Sequence, residues 1–246
     1  MWNINRLSVH HGGSLKMFHY HVLTLSILPL LLNILATPMV VISIVSLPKF
    51  LESPTYYIYT YGFALWSIYH VFLMGLVFKF LKTEGESIRG IVGPLGNRLW
   101  LTIILVSVLL CLSIIMFQMV EPYMTDLVYG VNTWKQFLSE YKRIPWFIVV
   151  YGIAVTSLTA GFCEEIVWRG YLQTRFKRLL HGKVLTAILL QAVLFGFWHS
   201  ISIHTFFTAI FGFIYGIVYA KTRRLIPLMV SHWLSDVVGF LFMYFM

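Results

Sequence analysis

Charge is what this sequence has least of. Of its 246 residues, 9 are acidic and 18 basic, so charged side chains make up 11%, against roughly 25% in an ordinary soluble domain. That scarcity excludes a water-exposed globule. Cysteine is almost absent as well. Cys111 and Cys163 both lie inside apolar runs, which excludes a disulfide framework and reads as buried, inert thiols. No polar, Pro/Ser-rich stretch divides the apolar segments, so residues 1–246 read as a single membrane domain with no soluble module. No A-x-A cleavage site follows the first apolar run, which excludes a signal peptide.

What is present is hydrocarbon. The chain is 59% hydrophobic with mean hydropathy +0.81. The expected fold is all-α: a polytopic transmembrane helix bundle with membrane lipid as its surroundings. The net charge of +9 would raise nucleic-acid binding in a soluble protein. Here the basic residues collect in short loops, as the positive-inside rule expects, and no nucleic-acid partner is expected.

Seven apolar runs are long enough, or nearly so, to cross a bilayer. They are 22–47, 56–78, 99–120, 144 into the GFCEEIVWRGY stretch, 184–199, 205–220 and 225–246. The first is expected to be distorted at Pro29 or Pro38. The second carries an interfacial belt of Tyr56, Tyr57, Tyr59 and Tyr61. Gly90, Gly93 and Gly96 have neither a P-loop Lys-Ser/Thr nor a strand before them and read as a turn. Segment 121–143 fits either an interfacial amphipathic helix or a loop, and an eighth element there stays open. With the N-terminus inside, thirteen Lys and Arg fall on the inner side and four on the outer. Arg169 lies within the membrane, which accounts for all 18. This distribution points to a cytoplasmic N-terminus. Small size, short loops and the lack of organelle signals point to a bacterial plasma membrane. The Gly212–Gly216 step reads as close packing between helices of this chain. His10, His11, His19 and His21 read as a solvated polar tail.

Ionisable residues at membrane depth cost about 2.5–3.5 kcal/mol on insertion scales and mark function. The fourth run carries Glu164, Glu165 and Arg169; the fifth Phe195 and His199; the seventh His232 and Asp236. Glu165 and Arg169 are spaced i, i+4 and can pair along one face. Glu164 points about 100° away, so its partner must come from another helix. An acid in that position suits a general base. His232 and Asp236 repeat the i, i+4 spacing, as do Phe195 and His199. Counting rise from the inner basic residues puts Glu164 roughly 16 Å deep, His199 roughly 24 Å and His232 roughly 12 Å. They meet only if the fifth helix starts outside the hydrocarbon. His70 on the second run has no acid four residues away, and His70 and His204 read as non-catalytic. Glu164, His199 and His232 are also an inventory for zinc, Zn2+, with an open position for water. The HExxH pattern is absent, so metal and metal-free chemistry both stay open.

EExxxR (Glu164, Glu165, Arg169), then FxxxH (Phe195, His199), then HxxxD (His232, Asp236) resemble the CPBP intramembrane protease family. That family contains CAAX prenyl endoproteases of the Ras-converting type and bacterial Abi and bacteriocin-processing or immunity proteins. The family-like core is 144–246. The resemblance implies hydrolysis of a peptide bond within the membrane, with Glu164 and His199 activating water. His232 and Asp236 would stabilise the oxyanion or complete the water site, and Glu165, Arg169 and Phe195 would support them. The family often has Asn where this chain has Asp236, and an ionised acid cannot donate to an oxyanion. The expected partner is a peptide or protein substrate: a prenylated tail, a bacteriocin leader or a signalling peptide. The alternatives are a non-proteolytic immunity or binding protein on the same scaffold, or a transporter or proton relay. The last lacks the two-half repeat common in transporters. Oligomeric state is not legible.

Overall fold

In the computed structural model, residues 12–94, 96 and 98–246 are described, and all regular structure among them is helical. Six helices are long and apolar enough to cross a membrane: Lys16–Val45, Pro54–Thr83, Leu99–Tyr129, Trp146–Leu179, Ile203–Thr222 and Ile226–Phe245. With the shorter apolar helix Val184–His199 they form the expected polytopic bundle. We number these seven in chain order. Arg6, His10 and His11 lie outside the described residues.

Proline shapes two of the helices. Between Pro29 and Pro38 the first helix opens into wider i→i+5 turns over Leu31–Ala36. The third does the same over Ile115–Val120, just before Pro122. Such turns let a membrane helix carry a proline without stranding backbone groups in hydrocarbon. The third helix therefore does not stop at Val120. It runs to Tyr129 with Glu121 buried in it. Beyond it, Thr133–Tyr141 is a separate amphipathic helix, with Tyr141 buried and Lys135, Gln136 and Ser139 outward.

Both ends of the bundle are tied by polar contacts. At one end Glu84 accepts from His21 Nδ1 (3.1 Å), Tyr171 and Arg175 Nη2 (2.6 Å). Glu86 pairs with Arg175 at 3.0 Å and Arg178 at 2.6 Å. His21 is thus buried rather than solvated, and it also stacks on Phe80. At this same end Gly90 lies in the short helix Ile88–Val92 rather than in the expected turn, and the chain turns only after it, at Gly93. Gly93 has φ 76°, and a Cβ there would meet the Arg223 carbonyl, while Leu225 N–H donates to the Val92 carbonyl. At the other end Arg143 donates to Ser53 (2.8 Å) and Glu140 accepts from the Thr55 amide (3.0 Å).

Between the ends, close approaches set the helix spacing. Gly212 packs on Ala192 and Phe195, and Gly216 on Ile188 and Gln191, so the small-residue step joins the fifth and sixth helices of one chain. A Cβ on Gly161 would lie 2.6 Å from the Trp233 backbone nitrogen. Glycine is what lets the fourth helix reach the seventh there.

Candidate active site

The fourth helix coils with i→i+5 turns over Ala160–Gln173, the stretch that holds Glu164, Glu165 and Arg169. Coils of this kind are rare and concentrate at functional positions. The expected i, i+4 pair forms: Arg169 Nη1 lies 3.0 Å from Glu165 Oε1, with both side chains fully buried. The guanidinium lies over the Phe195 ring, 4.1 Å from its centroid. Phe195 also meets the His199 imidazole edge to face at 4.7 Å. Glu165 is not neutralised by its own helix alone, because its Oε1 also takes His232 Nδ1 at 2.9 Å.

Glu164 faces elsewhere, and its two oxygens divide. Oε1 lies 2.8 Å from His70 Nε2 and accepts from Trp198 Nε1 at 3.2 Å. Oε2 has no hydrogen-bond partner among the described residues. It faces His199 Nε2 at 3.8 Å and His232 Nε2 at 4.0 Å. Asp236 Oδ2 lies 3.7 Å from the same His232 nitrogen. Glu164, His199, His232 and Asp236 are therefore brought together, with Glu165, Arg169 and Phe195 behind them.

Hydrogen bonds on the far side of each ring orient the histidines. His199 Nδ1 meets the Phe195 carbonyl at 3.0 Å. A carbonyl only accepts, so Nδ1 carries the proton and a neutral His199 presents a lone pair at Nε2. The Glu165 carboxylate fixes Nδ1 of His232 in the same way. Both Nε2 atoms point at the free oxygen of Glu164.

Four partners lie outside the sequence motifs. His70 holds Glu164 from the second helix, and its Nδ1 meets Thr159 Oγ1 at 3.1 Å. Asn33, in the wide turns of the first helix, donates to the carbonyls of Trp198 and His199 and accepts from Trp66 Nε1 at 2.7 Å. That clamps the frayed end of the fifth helix where His199 sits. Glu121 pairs with His204 Nδ1 at 2.8 Å, and the His204 ring lies 5.7 Å from that of His199. Only a map of which helices touch would have revealed them, since each pair joins different helices. Cys163 is buried with Sγ 3.6 Å from Met74 Sδ and takes no part.

The site lines the deep end of a cavity of about 720 Å³, within the range of small-molecule and peptide clefts. The donor set of Glu164 Oε2 and two imidazole lone pairs has the right chemistry for zinc. Its spacing does not: among the described residues no group of three or more His, Cys, Asp or Glu has metal-holding geometry.

Residues 145–238 match the protein-family model described as type II CAAX prenyl endopeptidase, Rce1-like. That segment holds all three motifs and agrees with the resemblance read from them. It leaves Asn33, His70 and Glu121 outside. No curated protein and no solved structure matches the chain.

Proposed function

We propose that this integral membrane protein is an intramembrane endopeptidase of the CAAX-protease type, with Glu164 as the base that activates water. One observation carries the reading. A buried carboxylate oxygen with no hydrogen bond among the described residues faces two imidazole Nε2 atoms at 3.8 and 4.0 Å, at the end of a cavity. The family match supports the reaction class.

The chemistry follows from the orientation of each group. His70 and Trp198 hold Oε1, so Oε2 is the acceptor that remains. A water hydrogen-bonded to Oε2 and His199 Nε2 gives up a proton as its oxygen attacks the peptide carbonyl carbon. The carbonyl π pair moves onto oxygen. When His232 carries both protons, its Nε2–H donates to that oxyanion. The C–N bond then breaks and the proton passes to the departing amine nitrogen. Asp236 orients His232 and does not donate. Glu165 and Arg169 hold His232 and Phe195 in place. We place the chain in a bacterial plasma membrane with its N-terminus in the cytoplasm.

The test is cleavage of reporter peptides by the chain in lipid vesicles. The wild type cleaves, while Glu164→Gln inserts normally and does not. A Glu164→Gln chain with undiminished activity overturns the reading, and an immunity or binding role would then stand.

A further inference from the structure

The polar ties sort the loops into two faces. His21–Glu84, Glu84–Arg175, Glu86–Arg178 and Leu225–Val92 gather one set. Arg143–Ser53, Glu140–Thr55 and Ile203–Tyr129 gather the other. Among the described residues the first face holds twelve Lys and Arg, from Lys16 to Arg224, and the second only Lys49, Lys135, Lys142 and Arg143. The cavity leads from Glu164 to the second face, where it is lined by Pro54, Gln136 and Ser202, all exposed. Short basic loops stay in the cytoplasm, so the mouth opens on the opposite side.

The walls hold four carboxylates, Glu121, Glu140, Glu164 and Asp236, and four imidazoles, His70, His199, His204 and His232; no described lining residue is Lys or Arg. His70, His204 and His232 already face Glu164, Glu121 and Glu165, and buried Arg169 is paired with Glu165, so no described group there is a dedicated cation for the free carboxylate of a chain terminus. From Pro54 to His70 the second helix follows the cavity for about 24 Å of rise. An extended peptide covers that in about seven residues.

We infer that the site takes a peptide segment from the non-cytoplasmic face, uncharged or basic around the cut, and cleaves it at an internal bond rather than beside a C-terminal carboxylate. The substrate class rests on the endopeptidase reading; the direction of access does not, because it needs no turnover.

Two measurements test it. Gln136→Cys and Ser202→Cys at the mouth, and His181→Cys on the basic face, are treated in intact bacterial cells with a membrane-impermeant maleimide. The parent chain serves as the blank. The mouth positions react before permeabilisation and His181→Cys only after it. The reverse order overturns the direction of access whether or not the chain cleaves anything. Purified Glu164→Gln chain in nanodiscs is then titrated with fluorescent decapeptides that differ only in one central residue. Lysine at that position binds about tenfold more tightly than glutamate, as attraction to lining carboxylates requires. Equal binding, or tighter binding of the glutamate peptide, overturns the charge preference.

Discussion

His70 Nε2 and Glu164 Oε1 lie 2.8 Å apart, on the second and fourth helices. This contact decides which oxygen of Glu164 is left for chemistry. Removing it frees the carboxylate to rotate. His70→Ala should lower kcat about 10- to 100-fold, the cost of a hydrogen bond to a charged group, with KM little changed. His70→Gln, which can still donate, should recover part of the loss. Cleavage kinetics in vesicles read both.

Glu164→Gln and His199→Ala should each reduce cleavage by about 10²- to 10⁴-fold, the usual contribution of a general base. The double variant should lose little more than the worse single one, because the two act on one water. Thermal unfolding in detergent should stay close to wild type for both.

Asn33→Ala removes the donor that clamps the Trp198 and His199 carbonyls. It should destabilise the chain by about 1–3 kcal/mol through unsatisfied buried groups and lower kcat as His199 loses its fixed position. Asn33→Asp, which cannot donate, should be at least as harmful. Unfolding in detergent and kinetics together separate the two effects.

Gly161→Ala forces the fourth and seventh helices apart, since the new Cβ would lie 2.6 Å from Trp233 backbone nitrogen. Overpacking of this kind costs about 1–3 kcal/mol. It should also weaken cleavage, because the same approach brings Glu165 to His232.

Glu86 supplies a pH dependence outside the membrane. Burial opposes its charge, but Arg178 and Arg175 win and hold the carboxyl below its ordinary value of 4.5. The sign follows: the native state prefers the ionised form. Its contribution is complete above the unfolded value and is lost as pH falls below 4.5 through the folded one. Melting of the purified chain should therefore drop with acid in that window, and Glu86→Gln should flatten the drop.

The sequence was most readable where function is written within one helix. EExxxR, FxxxH and HxxxD each lie on a single turn or two, so spacing alone separates Glu165 with Arg169 from Glu164. Depth counted along each helix was less reliable, since it assumes a common starting plane. It sets His199 and His232 about 12 Å apart in depth, yet both reach one oxygen of Glu164. His70 was hidden for a related reason: a lone histidine on an apolar helix looks the same whether it meets a backbone carbonyl or a buried carboxylate on another helix. Glu121 looked like the end of a span because its partner, His204, lies on the sixth helix.

Glu84 gathers side chains from the first and fourth helices onto the end of the second. A knot of charge at one end leaves the other as the place where these helices can part. Thermal breathing should then concentrate around Ser53, Tyr129 and Ile203, where a few polar contacts and, among the described residues, no buried carboxylate–arginine pair hold neighbouring segments. Admission of a long peptide becomes a splaying motion about a fixed base, and hydrogen exchange should be slow near Arg175 and fast near the mouth.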